Sequence, residues 1–149
     1  MNRGSSTERQ CGATMIELVA TLVVLAVLAA FALPAARNTG ANVAAEAAIL
    51  RGHLRYAQGM AMANNTYTWS VNLGANSYTL QRNGAPAPIN LPNENAPTHT
   101  LRAGVSIGAG LGVITFTEWG DIGAARVITV TDGDVAQSIS IAATTGLIQ

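Results

Sequence analysis

Lysine is absent from this chain of 149 residues, cysteine occurs once, at position 11, and only 11% of the residues are charged. Each shortage removes a class of chemistry. A lone thiol permits no internal disulfide framework. The glycines at 104, 108, 110 and 112 lack the lysine that a phosphate-binding loop uses. Two histidines, His53 and His99, stand without a second cysteine or a repeated acidic spacing, so each is expected to be a satisfied or solvent-exposed side chain rather than a metal ligand. Beyond residue 34, Arg37, Arg51, Arg55, Arg82, Arg102 and Arg126 are balanced by Glu46, Glu94, Glu118, Asp121, Asp132 and Asp134. No basic patch follows from that balance, and nucleic acid is not an expected partner. Arg51 and Arg55 share a helix face that is expected to be solvated. No catalytic constellation emerges, no cofactor is implied, and the chain is not expected to be an enzyme.

What is present in abundance is apolar sequence, concentrated near the start. From Met15 to Leu33 the only charge is Glu17. A bilayer span needs about 20 predominantly apolar residues. Each central Leu, Val or Phe contributes about −0.3 to −0.6 kcal/mol to insertion, so Leu18, Val19, Leu22 to Leu25, Val27, Leu28 and Phe31 predict a membrane helix. Arg3 and Arg9 precede the run and set its N-terminus on the cytoplasmic side. A secretory signal peptide shares a basic start and an apolar core. This run is longer than a typical signal core, however, and its small residues end in Leu33-Pro34, a poor place for cleavage. Cys11 comes before the run, which excludes a lipoprotein acylation site.

Glu17 requires compensation, since a lone carboxylate near the bilayer centre costs on the order of 2 to 3 kcal/mol. Thr14 and Glu17 have the spacing of a capping box, and a negative charge at a helix start suits the dipole. Beyond Pro34 the pattern stays helical but becomes amphipathic: Val43, Ala47, Leu50, Leu54, Ala57 and Ala61 draw one stripe, with Asn42, Glu46, Arg51, His53 and Arg55 largely off it. At 1.5 Å per residue, a helix from Ala13 to about Ala63 would extend roughly 75 Å and project from the membrane. Asn64-Asn65 is a stop signal.

After Thr66 the period becomes two. Tyr67 to Leu73 and Tyr78 to Arg82 predict a hairpin around Gly74-Ala-Asn76. The proline-rich stretch Asn83 to Pro97 predicts an exposed loop. Strands are expected at Leu101 to Ile107, Val113 to Thr117, Arg126 to Thr131 and Gln137 to Ala142, together one antiparallel sheet leaning on the helix. Asp132-Gly-Asp134 is either a tight-hairpin signal or, with Asp121, a set of oxygens for Ca²⁺; the hairpin is the simpler account.

The sequence Gly12-Ala-Thr-Met-Ile-Glu17, with a short basic leader before it and an unbroken apolar helix after it, resembles the prepilin motif of type IV pilins and type II secretion pseudopilins. Pro34 falls where many pilin helices carry a kinking proline. Ile114-Thr-Phe116, Trp119-Gly120, Arg126 to Val130, Ser138 to Ile141 and Thr145-Gly146 resemble the minor pilins of the GspH/FimT group. The resemblance implies an α+β pilin fold. It divides the chain into a cleaved leader at 1–12, a transmembrane helix half at 13–35, an amphipathic half at 36–64 and an antiparallel β domain at 65–149. It also implies cleavage between Gly12 and Ala13 by a prepilin peptidase and N-methylation of Ala13, a departure from the Phe that most members carry there. Glu17 would pair with the α-amino group of a neighbouring subunit. The implied partners are the peptidase, other pilins or pseudopilins and an inner-membrane assembly platform. The implied role is structural, as a minor pseudopilin of type II secretion or, alternatively, a minor pilin of a type IV pilus. The location is the bacterial inner membrane, single-pass with the C-terminal domain periplasmic, and then the filament.

The charge balance carries a prediction of its own. Duplex DNA should bind weakly and with little change between low and moderate salt, because few counterions are released. Titration at two salt concentrations checks this, and micromolar binding that falls steeply with salt would point instead to an uptake function through Arg51, Arg55 and Arg126.

Overall fold

The computed structural model describes residues 15–32, 40–64 and 66–149. Gly12, Ala13, Thr14 and Pro34, which carry most of the prepilin resemblance, lie outside the described residues. The chain divides into two compact units, Met1–Arg37 and Asn38–Gln149.

The first unit contains helix α1, Met15–Ala32. Its sequence is built from Leu, Val and Ala with no glycine or proline to interrupt it. The described side chains from Met15 to Leu28 are all exposed, an unusual state for so apolar a surface. Thr21 satisfies its hydroxyl by donating to the Leu18 carbonyl at 2.9 Å. With 18 residues, α1 rises about 27 Å against a hydrocarbon core of about 30 Å. Among the described residues no helix is long and apolar enough to cross a membrane.

The second unit opens with helix α2, Ala41–Ala63. Gly40 at its N-cap has φ +71°, a left-handed conformation in which glycine is unstrained, and its carbonyl accepts the first helical bond from the Ala44 amide. The helix ends where Asn64 turns extended, and Asn64 Oδ1 accepts from the Thr66 amide at 2.8 Å. Val43, Ala47, Leu50, Leu54, Ala57 and Ala61 are all buried, as their spacing predicts. Glu46 and His53 are buried as well, contrary to their expected place off the stripe. Both keep spacings of three and four to Val43, Leu50 and Ala57, which puts them on the flank of the buried face.

Among the described residues eight strands follow, β1 (Trp69–Leu73), β2 (Ser77–Arg82), β3 (Ala85–Pro86), β4 (Thr98–Thr100), β5 (Ser106–Ala109), β6 (Gly112–Phe116), β7 (Arg126–Thr131) and β8 (Ala136–Ile141). All pairings are antiparallel. They form two sheets rather than the single one expected: β3-β2-β1-β6, with β4 also on β2, and β5-β7-β8. The glycine-rich link between β5 and β6 is the reason. A bulge at Ile107/Ala109 breaks the β5 register, and Gly110 and Gly112 both have positive φ. A Cβ on Gly110 would stand 2.4 Å from the Val127 carbonyl oxygen, so only glycine lets the chain cross there from one sheet to the other.

The proline-rich stretch is also more structured than its composition predicts. Asn83 (φ +53°) and Gly84 (φ +78°) make a two-residue turn of the kind that matches strand twist, which adds β3 to β2. Ala87 and Leu91 then enter the core. The strand expected at Leu101 to Ile107 is split: β4 precedes it, a turn closed by the Val105 amide on the Arg102 carbonyl interrupts it, and β5 takes its end. The β1-β2 hairpin and the β7-β8 hairpin around Asp132-Gly133 form as predicted.

One core serves the whole unit. The α2 stripe packs on Trp69, Val71 and Leu73 of β1, Ile114 and Phe116 of β6, Ile128 and Val130 of β7, and Ile139 and Ile141 of β8. Alanines at 47, 57 and 61 let the helix lie close across both sheets. A fragment starting near Thr39 therefore contains both sides of its core and should unfold cooperatively by itself. Leu50→Asp or Leu54→Asp should lower its stability by about 3 kcal/mol or more, since each would bury an unpaired charge. Urea unfolding followed by circular dichroism measures both expectations.

Candidate functional site

On α1, Glu17 sits in the first turn and heads one exposed face with Ala20, Thr21, Val24 and Leu25. Glu17 apart, this face carries no charge, so any partner that covers it must be apolar and must supply a cation or hydrogen-bond donors for one carboxylate.

The second unit holds a different polar group, one that the sequence pattern did not reveal. Glu46 of α2, 2% exposed, accepts from His99 Nε2 of β4 at 2.9 Å, and its other oxygen lies 3.3 Å from Arg102 Nε. His99 Nδ1 bonds Glu94 Oε1. Beside it, His53 Nε2 lies 2.9 Å from the Pro92 carbonyl, which can only accept, so Nε2 carries the proton. Nδ1 then accepts from the Tyr78 hydroxyl at 2.7 Å. The rings of His53 and His99 meet edge to face with centroids 5.6 Å apart.

These two histidines are driven in opposite directions. Burial lowers the His53 pKa, outweighing the bond to Pro92 that favours its charge. Burial also acts against charge on His99, but the bonds from Glu46 and Glu94 win and raise its pKa. The Tyr78 hydroxyl is pushed far up by burial and by the two nearby carboxylates, so it stays a donor. With both nitrogens of His99 donating to carboxylates, no lone pair is free for a metal, and among the described residues no group of His, Cys, Asp and Glu could hold one. Glu46, His53 and His99 lie buried at the centre of the cluster. Its chemistry is that of a structural ion network.

The acidic hairpin works in the same structural way. Asp132 Oδ1 accepts from the amides of Val135 at 2.8 Å and Asp134 at 3.1 Å, bonds that hold its carboxyl below the usual carboxylate range. Asp121 belongs to another loop, where it accepts from Thr117 Oγ1 and the Gly123 amide. Arg51 and Arg55 are not simply solvated: they donate to the carbonyls of Ser138 and Ile148 and strap α2 to β8 and the C-terminus.

At the C-terminal end of α2, Gln58 Nε2 donates to the carbonyls of Gly120 (2.7 Å) and Gly146 (3.0 Å) and so clamps two loops together. The clamp presents Trp119, 79% exposed, beside Met62 and Leu147, which are also exposed. Gly146 has φ +59°, and a Cβ there would fall 1.9 Å from the Gly120 carbonyl oxygen, which explains the small residue.

Glu46→Ala should cost about 3 kcal/mol, because the buried His99 imidazolium would lose the carboxylate on Nε2. Adding His99→Ala should cost much less than it does alone, a non-additivity that a double-mutant cycle in urea measures.

No protein-family model and no curated protein matches the sequence. Among solved structures the chain is similar to the type IV minor pilin FimU of Pseudomonas aeruginosa in two crystal forms. One shares 19% identity over 72% of this chain and 86% of that one, with a TM-score of 0.54. The other shares 20% identity over 69% and 87%, with a TM-score of 0.50. The chain therefore has the α+β fold of a type IV minor pilin, a helix packed on antiparallel sheet, as its prepilin-like start implies.

Proposed function

We propose that this chain is a minor structural subunit of a type IV pilus-like filament. The observation that carries the reading is the pairing of an unburied apolar helix, α1, in which Glu17 is the single charge, with a separately cored unit of minor-pilin fold. An isolated helix of that surface needs an apolar surrounding at every stage. As a precursor it would lie in the inner membrane, the run continuing to Leu33, with the C-terminal unit in the periplasm. After a prepilin peptidase cuts between Gly12 and Ala13 and Ala13 is methylated, an assembly platform would move α1 from lipid into a filament core of other pilins. There the Glu17 carboxylate meets the new α-amino group of a neighbour, an ion pair that low dielectric strengthens. The subunit acts as a part and not as a catalyst.

The likeness to FimU supports the type IV pilus, the alternative that the family resemblance left open, over the type II secretion pseudopilus that it put first. The pseudopilus remains the second reading, because the GspH/FimT resemblance of Ile114 to Gln149 spans both machines.

Intact-mass measurement tests the processing step. The mature protein should begin at Ala13, and Gly12→Trp should leave the precursor whole; a mature form beginning elsewhere would sink the assignment. Glu17→Ala should leave cleavage and membrane insertion intact, since a charge is removed from an apolar segment. Cross-linking of that variant to other pilins should fall at least severalfold. Equal cross-linking of variant and parent would reduce Glu17 to a helix-capping role.

A further inference from the structure

We propose that residues 91–97 form a latch on the α2 face, closed when His99 carries a positive charge and His53 is neutral, and released when both rings are charged or neither is. The segment lies over the buried polar cluster and is fastened to it by two side-chain bonds, one to each histidine: His53 Nε2 to the Pro92 carbonyl, and His99 Nδ1 to Glu94. Its own amides close it into a compact turn, Glu94 onto Leu91 and Leu91 onto Ala96, while the Leu80 amide holds Pro97 at the edge of β2. Leu91 is the one apolar side chain that the segment buries fully. The latch thus depends on two imidazoles to an extent that the rest of the unit does not.

The groups facing the histidines come from every element around them: Glu46 from α2, Tyr78 from β2, Glu94 from the segment itself and Arg102 from the turn after β4. With His99 charged and His53 neutral, two carboxylates balance one imidazolium and one guanidinium, and every hydrogen bond has a donor and an acceptor. A second proton, on His53 Nδ1, would face the Tyr78 oxygen, force that hydroxyl to turn away, and set two cationic rings with centroids 5.6 Å apart. Loss of the His99 proton would aim a nitrogen lone pair at a carboxylate. Glu46 is buried and retains Arg102, whereas the Glu94 side chain is 30% exposed, so Glu94 is the partner that lets go into water.

The direction of each arm follows from linkage. His99 has a raised pKa in the folded state, so the stability it contributes is complete below its unfolded value of 6.5 and is lost as pH rises through the folded value. His53 has a lowered pKa, so its contribution is complete above 6.5 and is lost as pH falls toward the folded value. The two arms meet around the shared unfolded value of 6.5, where both shifts favour a charged His99 beside a neutral His53. Release would uncover Leu91 and the α2 surface around His53, so the face that the unit offers a neighbour would change with pH. This holds whether or not the chain enters a filament.

Hydrogen exchange of the full chain in detergent micelles, corrected for the intrinsic rate and read by mass spectrometry at about pH 5, about pH 6.5 and about pH 8.5, tests the latch. Peptides covering residues 88–97 should be best protected at the middle value and lose protection severalfold at each extreme. Peptides from β7 and β8 should not change. His99→Gln should flatten the alkaline arm and His53→Gln the acid arm. Should either substitution unfold the core, Glu94→Gln, made on a partly exposed side chain, keeps the question open to decision: it takes one carboxylate from His99 and should move the alkaline arm to lower pH. A flat profile in the parent, a loss shared equally by β7 and β8, or an alkaline arm unmoved by Glu94→Gln would each overturn the proposal.

Discussion

The contact on which the second unit depends is the α2 stripe lying across two sheets. Neither sheet has a covered inner face without it, since β1 and β6 on one side and β7 and β8 on the other turn their Val, Ile and Phe side chains toward the same helix. Sheets this small cannot bury enough surface alone to offset the entropy of ordering. The alanines at 47, 57 and 61 matter for the same reason: they bring the helix axis close enough for both sheets to reach it. Arg51, Arg55 and Gln58, all donating to carbonyls of the later strands and loops, then hold the helix in register along its length.

A buried carboxylate beside that stripe is tolerated because its full complement of partners arrives from elsewhere in the chain. Glu46 has an imidazolium on one oxygen and a guanidinium near the other, and His99 is held in turn by Glu94. Desolvation of such groups is expensive and is offset only when every donor and acceptor is met. The same condition explains why the segment after β3 is ordered despite its prolines. Its carbonyls and its one acidic side chain complete the polar cluster while Leu91 completes the apolar one.

Glu17 poses the opposite problem. It stands on an exposed helix whose described surface is otherwise apolar or small. The two carboxylates stand in two kinds of environment: Glu46 is satisfied within the second unit, and Glu17 is on the exposed face of α1. The second unit carries its own core, while the described surface of α1 is apolar and exposed.

Much of this was legible in the order of residues. The α2 stripe, its end at Asn64, and the hairpins β1-β2 and β7-β8 follow from periods of 3.6 and 2 and from turn residues, because those signals are local and need no knowledge of distant chain. The Asn83-Gly84 turn was equally legible but was masked by the prolines around it. The division into two sheets depended on a close approach of Gly110 to Val127, a contact between residues far apart in sequence that no local pattern encodes. The burial of Glu46 and His53 was decided the same way. Their helical spacing placed them at the edge of the apolar face, but only the arrival of Tyr78, Pro92, Glu94, His99 and Arg102 could satisfy them there. The sequence by itself determined which segments are helix or strand and which helix must find an apolar surrounding. The tertiary structure alone decided which polar groups are inside, because a buried charge is permitted by its partners and not by its neighbours in the chain.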